Sequence, residues 1–226
     1  MLTFEEIYKS AVAIKGGGKT GKAFVEGHLP EVRSADQLGS LPDAYFLSEI
    51  SRRIFRAGLK HSMVDGKWLS FETAFWGFDP MRCAMMSDDE LDEHMGNADL
   101  IRHYGKMKSI RHNAQMVLDK GREAGSFGEW LVSWPEDDAV GLWLSLKRQG
   151  AQLGGQSGAR FLRQVGYDTF LLTDDVVSAL IAQEIVSKRP TAQRDLKQVQ
   201  LAFNGWREES GRPLAEISRI ISFVAW

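Results

Sequence analysis

The chain has 226 residues, 43% hydrophobic and 26% charged, which is enough material for one large or two small globular domains. Its net charge of −2 excludes a globally basic surface, and its only cysteine, Cys83, excludes a disulfide framework or a cysteine-rich zinc site within the chain. No apolar run approaches the roughly 18–20 residues of a membrane span, and MLTFEEIYKS does not resemble a signal peptide. We therefore expect no membrane partner and a cytoplasmic protein, associated with the nucleoid in a bacterium.

Most of the chain has the periodicity of amphipathic helices. Three helix starts are marked by the capping-box spacing, which satisfies free N–H groups: Thr3 with Glu6, Ser87 with Glu90, and Ser126 with Glu129. Helical periodicity follows each box, and runs of alternating β-branched residues are missing. The sequence therefore predicts an all-α fold of about ten to twelve helices, with little or no sheet.

Residues 15–42 interrupt the helical pattern. They carry Gly, Ser and two of the 6 prolines, so we predict a loop or a poorly ordered connection. This divides the chain into an N-terminal helix and loop extension, 1–42, and a main domain, 43–226. The sequence leaves open whether the N-terminal helix completes a C-terminal bundle.

Within this segment, GGGKTGK at 16–22 suggests a phosphate loop for a nucleotide. That motif needs a glycine five residues before Gly18, where Ala13 stands, and it needs a preceding strand. FEEIYKSAVAI has the periodicity of a helix instead. We therefore interpret the stretch as a flexible basic loop.

Positive charge is concentrated in two stretches. Residues 101–122 contain six Lys or Arg and one acid, and residues 139–167 contain four Lys or Arg and no acid. In a mildly acidic chain this pattern fits one face for a polyanion, and it also fits two solvated helix faces.

The histidines do not have the spacing of metal ligands. No HxxxH or HExxH pair occurs, and a single cysteine cannot complete a structural zinc site. We therefore expect neither a metal nor a cofactor. The 5 histidines are His28, His61, His94, His103 and His112.

The stretch LGGQSGARFL at 153–162 places glycines between two helical segments. Glycine is unfavourable inside a helix, so this is either a plain turn between packed helices or a helix-hairpin-helix. In a helix-hairpin-helix, N–H groups at the start of the second helix bind a DNA phosphate with the helix dipole behind them. The DNA-binding residues predicted on this basis are Gly154, Gly155, Gln156, Ser157, Gly158 and Arg160.

Two acids, Asp174 and Asp175, begin the next apolar helix, DDVVSALIA. Carboxylates are favoured in a first helical turn because of the helix dipole, so at least one of them has a structural role. That role is compatible with chemistry if the carboxylate faces a cleft.

Residues 55–114 resemble the 3-methyladenine DNA glycosylase I family, which belongs to the helix-hairpin-helix DNA glycosylase superfamily. The matches fall at the family's spacing without a gap: Ala57-Gly58-Leu59, Ala74-Phe75, Phe78-Asp79-Pro80, Ile101-Arg102-His103, and Lys106 through Asn113-Ala114. SLKRQGAQLGGQSGARFL then resembles the family's hairpin segment, and the likeness covers roughly residues 45–180. The resemblance implies an all-α helix-hairpin-helix glycosylase fold with two helical subdomains flanking a cleft.

The resemblance also implies a reaction and its site. A monomer would bind double-stranded DNA, flip a damaged base into a pocket and hydrolyse its N-glycosidic bond. Asp174 or Asp175 would be the catalytic carboxylate, acting on an oxocarbenium-like transition state or on water. The base pocket would be lined by Arg53, His61, Trp68 and Tyr104, and Phe75 and Trp76 are further aromatic candidates in the same region.

The chain departs from the family at several of these positions. Arg53 stands where the family has a Glu that helps to read the methylated base, and His61 stands where it has a Trp. Asp175 and Ala179 replace a His and a Cys of the family's zinc site. Gln156-Ser157 stands where lyase-type relatives have a nucleophilic lysine, which predicts hydrolysis without strand cleavage.

Three functions therefore remain in view. The first is a monofunctional base-excision glycosylase for alkylated purines such as 3-methyladenine. The second is a relative that binds DNA with altered specificity or without catalysis, because an arginine beside a cationic base is unfavourable. The third is a structural interaction protein on the same fold.

Overall fold

The computed structural model describes residues 1–224 and confirms the all-α prediction: this part of the chain has fifteen α-helices, one 3-10 helix and no strand. We predicted about ten to twelve helices from periodicity. The difference arises because five helices have only 5 to 7 residues, too few to show a periodic pattern. No helix over 1–224 has both the length and the apolar character needed to cross a membrane.

The chain forms two compact units. The terminal unit contains Met1–Arg33, Pro135–Leu142 and the described part of Gly166–Trp226. The central unit contains Ser34–Trp134 and Trp143–Val165. The division into residues 1–42 and 43–226 remains a prediction.

The helices of the terminal unit come from both ends of the chain: α1 (Phe4–Ile14), α2 (Gly18–Gly27), α13 (Asp174–Ala182), α14 (Gln193–Ser210) and α15 (Leu214–Ile221). α1 packs against α14 and α15, which answers the question that the sequence left open. Two bonds tie them together: Phe4 N–H donates to Glu209 Oε2 at 2.7 Å, and the Trp206 indole donates to Leu2 O at 3.0 Å.

The prediction of a loop over residues 15–42 is wrong, because Gly18–Gly27 and Ala35–Gly39 are helical. The glycines of GGGKTGK serve packing as well as the turn. Gly16 and Gly17 have positive φ at the turn, whereas Gly21 lies inside α2 and faces α1. A Cβ on Gly21 would lie 2.1 Å from Val12 O, so glycine permits the close approach of the two helices.

The helices of the central unit follow in chain order: α3 (Ala35–Gly39), α4 (Asp43–Arg56), α5 (His61–Gly66), α6 (Trp68–Ala74), the 3-10 helix Trp76–Phe78, α7 (Pro80–Ala84), α8 (Asp88–Gly96), α9 (Tyr104–Ala124), α10 (Phe127–Val132), α11 (Ala139–Gln149) and α12 (Ser157–Gln164). α11 begins in the stretch that groups with the terminal unit. The long helix α9 packs against α4, α7 and α10, so it forms the centre of this unit.

The segment around Phe78-Asp79-Pro80 has a specific backbone. Gly77 has φ +65° and lies between two further left-handed residues, Trp76 and Phe78. Asp79 then caps α7 by accepting the Arg82 N–H at 2.8 Å, and Pro80 occupies the first turn of that helix. The result is a sharp turn that places the Phe78 ring in the core.

Two of the three predicted capping boxes are reciprocal. Thr3 with Glu6 begins α1, and Ser87 with Glu90 begins α8. At α10 the Ser126 hydroxyl accepts the Glu129 N–H at 3.0 Å. Each predicted box therefore marks a helix start.

Candidate functional site

The stretch LGGQSGARFL forms the turn between α11 and α12 and the first part of α12, as a helical hairpin requires. Gly155 has φ +59°, and Gln152 is also left-handed. Ser157 N–H donates to Gly154 O at 3.1 Å and closes the turn. A Cβ on Gly158 would meet Leu153 O at 3.0 Å, so glycine lets the start of α12 approach the turn.

The turn leaves backbone donors unused. The N–H groups of Gly154, Gly155 and Gln156 donate to no acceptor in residues 1–224. Gly155 is left-handed and Gln156 is near the right-handed helical region, an alternation that directs successive N–H groups to one side. This arrangement can bind an anion. The side-chain Oε1 of Gln156 is buried and has no partner.

Helix α9 fixes the position of this turn. The fully buried Asn113 donates to Ala151 O at 3.1 Å and accepts the Ala151 N–H at 2.8 Å. Gln152 Nε2 donates to Gly105 O at 2.7 Å. Because these bonds come from amide groups, they hold the turn without adding negative charge to it.

Most cations of the first basic stretch have structural partners. Lys106 is buried and donates to Phe55 O at 3.2 Å and to Ala57 O at 2.6 Å, where it satisfies carbonyls at the C-terminal end of α4. Three others are in ion pairs: Arg111 with Asp88, Lys120 with Glu123, and Arg122 with Asp119. Of this stretch, only Arg102 and Lys108 form neither an ion pair nor a hydrogen bond to a carbonyl in the described chain.

The second basic stretch has more cations without an acidic partner than the first. Lys147, Arg148 and Arg160 are exposed and form no ion pair with any described residue. These three flank the turn between α11 and α12. The positive charge available to a polyanion is therefore concentrated at the hairpin.

The residues predicted for the base pocket lie in different environments. Trp68 is 2% exposed, stacks between core rings of Phe71 and Phe78, and donates its indole N–H to Ser48 Oγ at 3.0 Å. Phe75 is also buried in this stack. Tyr104 is 45% exposed at the start of α9.

Two further residues of that group, His61 and Trp76, have accessible surface. His61 is exposed at the start of α5. Trp76 is half-buried, with the Arg82 guanidinium 4.4 Å from the centre of its ring. Trp68 and Phe75 thus belong to the core, whereas His61, Trp76 and Tyr104 have accessible surface.

Arg53 is the most unusual of the predicted pocket residues. It is half-buried near the end of α4, its Nε is buried, and no described residue accepts a hydrogen bond from its guanidinium. Burial lowers the pKa of Arg53, and the neighbouring cations Arg160 and Arg56 lower it further.

A buried polar network beside Arg53 escaped the sequence interpretation. Glu49 is buried on α4, where it pairs with Arg52 Nη1 at 3.1 Å and accepts a hydrogen bond from Gln164 Nε2. Gln164 Oε1 in turn accepts from Arg56 Nη1 at 2.9 Å. One signal in the sequence could have indicated this network: Glu49 is an acid on the apolar face of α4, three residues after the buried Phe46.

The terminal unit holds the two predicted catalytic acids at the start of α13. Thr173 caps this helix by accepting the Val176 N–H at 3.4 Å. The Asp174 side chain is 96% exposed and pairs with Arg189, which also donates to Leu172 O at 3.1 Å. Asp175 is exposed and has no side-chain partner in the described chain.

The residues of α13 do not fit the zinc site of the family that the sequence resembles. Asp175 and Ala179 stand at the positions of a His and a Cys, and residues 1–224 contain no group of three or more His, Cys, Asp or Glu able to hold a metal. The link between the chain ends is instead the packing of α1 on α14 and α15.

Comparison with known proteins relates the central part of the chain to DNA repair enzymes. Residues 43–149 match the methyladenine glycosylase family. A DNA-3-methyladenine glycosylase of Haemophilus influenzae is 34% identical over 79 residues, which cover 35% of this chain and 43% of that relative. The chain therefore matches less than half the length of its curated relatives.

Two solved structures share the fold. One is 3-methyladenine DNA glycosylase I of Staphylococcus aureus, with a TM-score of 0.50, 21% identity, and coverage of 72% of this chain and 95% of that one. The other is an 8-oxoguanine glycosylase/lyase of Methanocaldococcus jannaschii in complex with DNA, with a TM-score of 0.55, 16% identity and 96% coverage of both chains. The predicted helix-hairpin-helix glycosylase fold is confirmed.

Proposed function

Because residues 43–149 relate this chain to the methyladenine glycosylases, we propose that it is a base-excision repair enzyme. Its substrate is double-stranded DNA with a damaged base, bound by a monomer in the cytoplasm, at the nucleoid in a bacterium. The reaction is hydrolysis of the N-glycosidic bond of an alkylated purine of the 3-methyladenine type, after base flipping.

The observation that carries this proposal is the geometry of the α11–α12 hairpin. Its turn has three unused N–H groups, and the cations around it have no acidic partners among the described residues. Such groups attract phosphate oxygens and position a duplex without reading its sequence. Gly154, Gly155, Gln156, Ser157, Gly158 and Arg160 are the residues that would contact the DNA.

The remaining steps are assigned to residues of each unit separately. In the terminal unit, Asp174 or Asp175 stabilises the positive charge that develops on the sugar, or orients the attacking water. In the central unit, His61 and Tyr104 contact the flipped base, and Trp68 shapes the pocket from within the core. Arg53 is the fourth residue predicted for this pocket, and its charge is considered below. No lysine stands at Gln156-Ser157 to form a Schiff base, which supports hydrolysis without strand cleavage.

The test is release of 3-methyladenine from an alkylated duplex by wild type, Asp174→Asn and Asp175→Asn. We expect base release by wild type and a loss of about 100-fold or more in one of the two variants. Asp89→Asn is the matched control, because Asp89 is an exposed first-turn acid of α8. The strand should stay intact until alkali is added, and cleavage without alkali would contradict the monofunctional assignment.

The unpartnered Arg53 supports a second candidate, a DNA-binding relative with altered specificity or without catalysis. A guanidinium among other cations disfavours a positively charged alkylated base. If wild type binds duplex DNA but releases no base from any lesion, this candidate replaces the enzyme. If it does not bind DNA at all, both candidates fail.

A further inference from the structure

Arg53 has a charge that no described residue neutralises. Its guanidinium forms no ion pair within residues 1–224, although Glu49 lies one helical turn before it on α4. That carboxylate is already bound by Arg52 and Gln164. This half-buried guanidinium therefore keeps a positive charge with which an outside anion can pair.

The cations near Arg53 differ in how much binding capacity they have left. Arg56 uses its donors on Asp65, at 2.6 and 3.0 Å, and on Gln164. Lys106 uses its ammonium on the carbonyls of Phe55 and Ala57. Arg160 is exposed and has no partner in the described chain, so Arg53 and Arg160 are the two cations available to an outside anion.

We propose that Arg53 and Arg160 together bind one phosphate group, a phosphodiester of the DNA strand that the adjoining hairpin holds. Arg160 lies on α12, directly after the turn with unused N–H groups, and α12 packs against α4, which carries Arg53. Guanidinium forks suit phosphate oxygens, and two of them at one site suit a full negative charge. The DNA source rests on the proposed function, whereas the anion site itself does not.

This assignment gives Arg53 a contact to the DNA backbone, whereas the family resemblance suggested a contact to the base. The two contacts have different signatures. Loss of a phosphate contact weakens binding to every sequence and lesion alike and lowers the salt dependence, whereas loss of a base contact weakens binding to one lesion only. The charge of Arg53 is then used for holding DNA, and lesion choice depends on other residues.

The experiment measures the affinity of wild type and Arg53→Gln for an undamaged duplex and for a duplex with an abasic-site analogue, between about 50 and 200 mM salt. Loss of one phosphate contact should reduce the magnitude of the slope of log affinity against log salt by about 0.9. Between these salt concentrations, the affinity of the variant should therefore fall by a factor about 3.5 times smaller than that of wild type. Arg160→Gln should behave alike, and Arg53→Lys should restore the slope. Arg122→Gln is the control, because Arg122 lies sixteen residues, about 24 Å, further along α9 than Lys106.

Thermal unfolding checks the variants for folding. Because Arg160 and Arg56 repel Arg53, Arg53→Gln should raise the melting temperature at low salt. Inorganic phosphate should raise the melting temperature of wild type more than that of the variant. An unchanged salt slope together with an unchanged response to phosphate overturns the proposal, as does an affinity loss limited to one lesion. If wild type responds to phosphate through Arg53 but binds no DNA, the anion site stands with free phosphate as its ligand, and the proposed function fails.

Discussion

The α1–α2 hairpin of the terminal unit and the α11–α12 hairpin of the central unit both join two helices through a glycine-rich turn, with Lys or Arg following. One glycine of each hairpin shows a different use of this residue. In α1–α2, Gly21 faces α1 so closely that a Cβ would lie 2.1 Å from Val12 O. In α11–α12, Gly155 has open space around it and φ +59°. Glycine composition alone therefore does not separate a packing turn from a binding turn.

The two hairpins also differ in the groups that hold them. Glu26 on α2 accepts hydrogen bonds from Tyr8 at 2.6 Å and from Arg212 at 2.7 Å, so its negative charge is paired with Arg212. The α11–α12 turn is held by the side-chain amides of Asn113 and Gln152. The first hairpin thus contains a carboxylate that is paired with Arg212, whereas no described acid forms an ion pair with Lys147, Arg148 or Arg160 at the second.

The largest expected effect is on the packing role of the first hairpin. Gly21→Ala should destabilise the protein by about 3 kcal/mol, because the methyl group would overlap a backbone oxygen that cannot move alone. Chemical unfolding measures this. Gly27→Ala is the control, because a Cβ there meets nothing within 4 Å and alanine has a higher helix propensity than glycine. DNA affinity of the folded Gly21 variant should not change, and a loss of affinity would give this hairpin a binding role.

The next largest effect is expected for Asn113, which holds the turn of the second hairpin in place. Asn113→Ala removes two hydrogen bonds and leaves the N–H and C=O of Ala151 without partners, so we expect a loss of about 2 kcal/mol. Unlike Gly21→Ala, it should also weaken DNA binding in the folded protein, because the turn loses its fixed position. Gln115→Ala is the control, an exposed amide on the same helix. Full DNA affinity in the Asn113 variant would contradict the role of α9 as a support.

A smaller effect is expected on the pH dependence of stability, to which Glu26 of the first hairpin contributes. Burial raises the pKa of Glu26, but hydrogen bonds from Arg212 and Tyr8 and the charge of Arg212 lower it more, so it lies below the ordinary 4.5. The stabilisation is therefore present above pH 4.5 and is lost as the pH falls through the folded pKa. Glu26→Gln should lower stability by about 1 kcal/mol at neutral pH and flatten this acid transition. The exposed Glu31→Gln should leave both unchanged, and an unaltered acid transition in the Glu26 variant would show that other groups cause it.

The contrast between the hairpins also shows what the sequence could predict. Local signals were sufficient for the helix starts at Thr3, Ser87 and Ser126, because a capping box involves only four consecutive residues. They failed for α2, because the role of Gly21 depends on its contact with Val12 of another helix. Periodicity and composition carry no information about such a contact.

In the candidate site, too, local features could be predicted, whereas contacts between distant residues could not. The hairpin and its glycines could be located from sequence, as could the acids that begin α13. The partners of those groups could not, because Asn113 reaches Ala151 and Arg189 reaches Asp174 across stretches without regular spacing. Likewise, charge counting suggested a basic face over residues 101–122, although most of those cations are bound to acids or carbonyls.

The smallest expected effect is the most specific test of the comparison. Gly155 and Gly17 both have positive φ, +59° and +67°, and a Cβ on either meets nothing within 4 Å. Alanine should therefore destabilise the protein at both positions, by about 1 kcal/mol at Gly155 and by more at Gly17, whose φ of 67° and ψ of 170° lie in a region essentially restricted to glycine. Only Gly155→Ala should weaken DNA binding, since its methyl group would stand beside the N–H groups proposed to meet a phosphate. Unfolding curves and DNA titrations of the pair separate the two contributions, and equal DNA affinities would remove the α11–α12 turn from the binding surface.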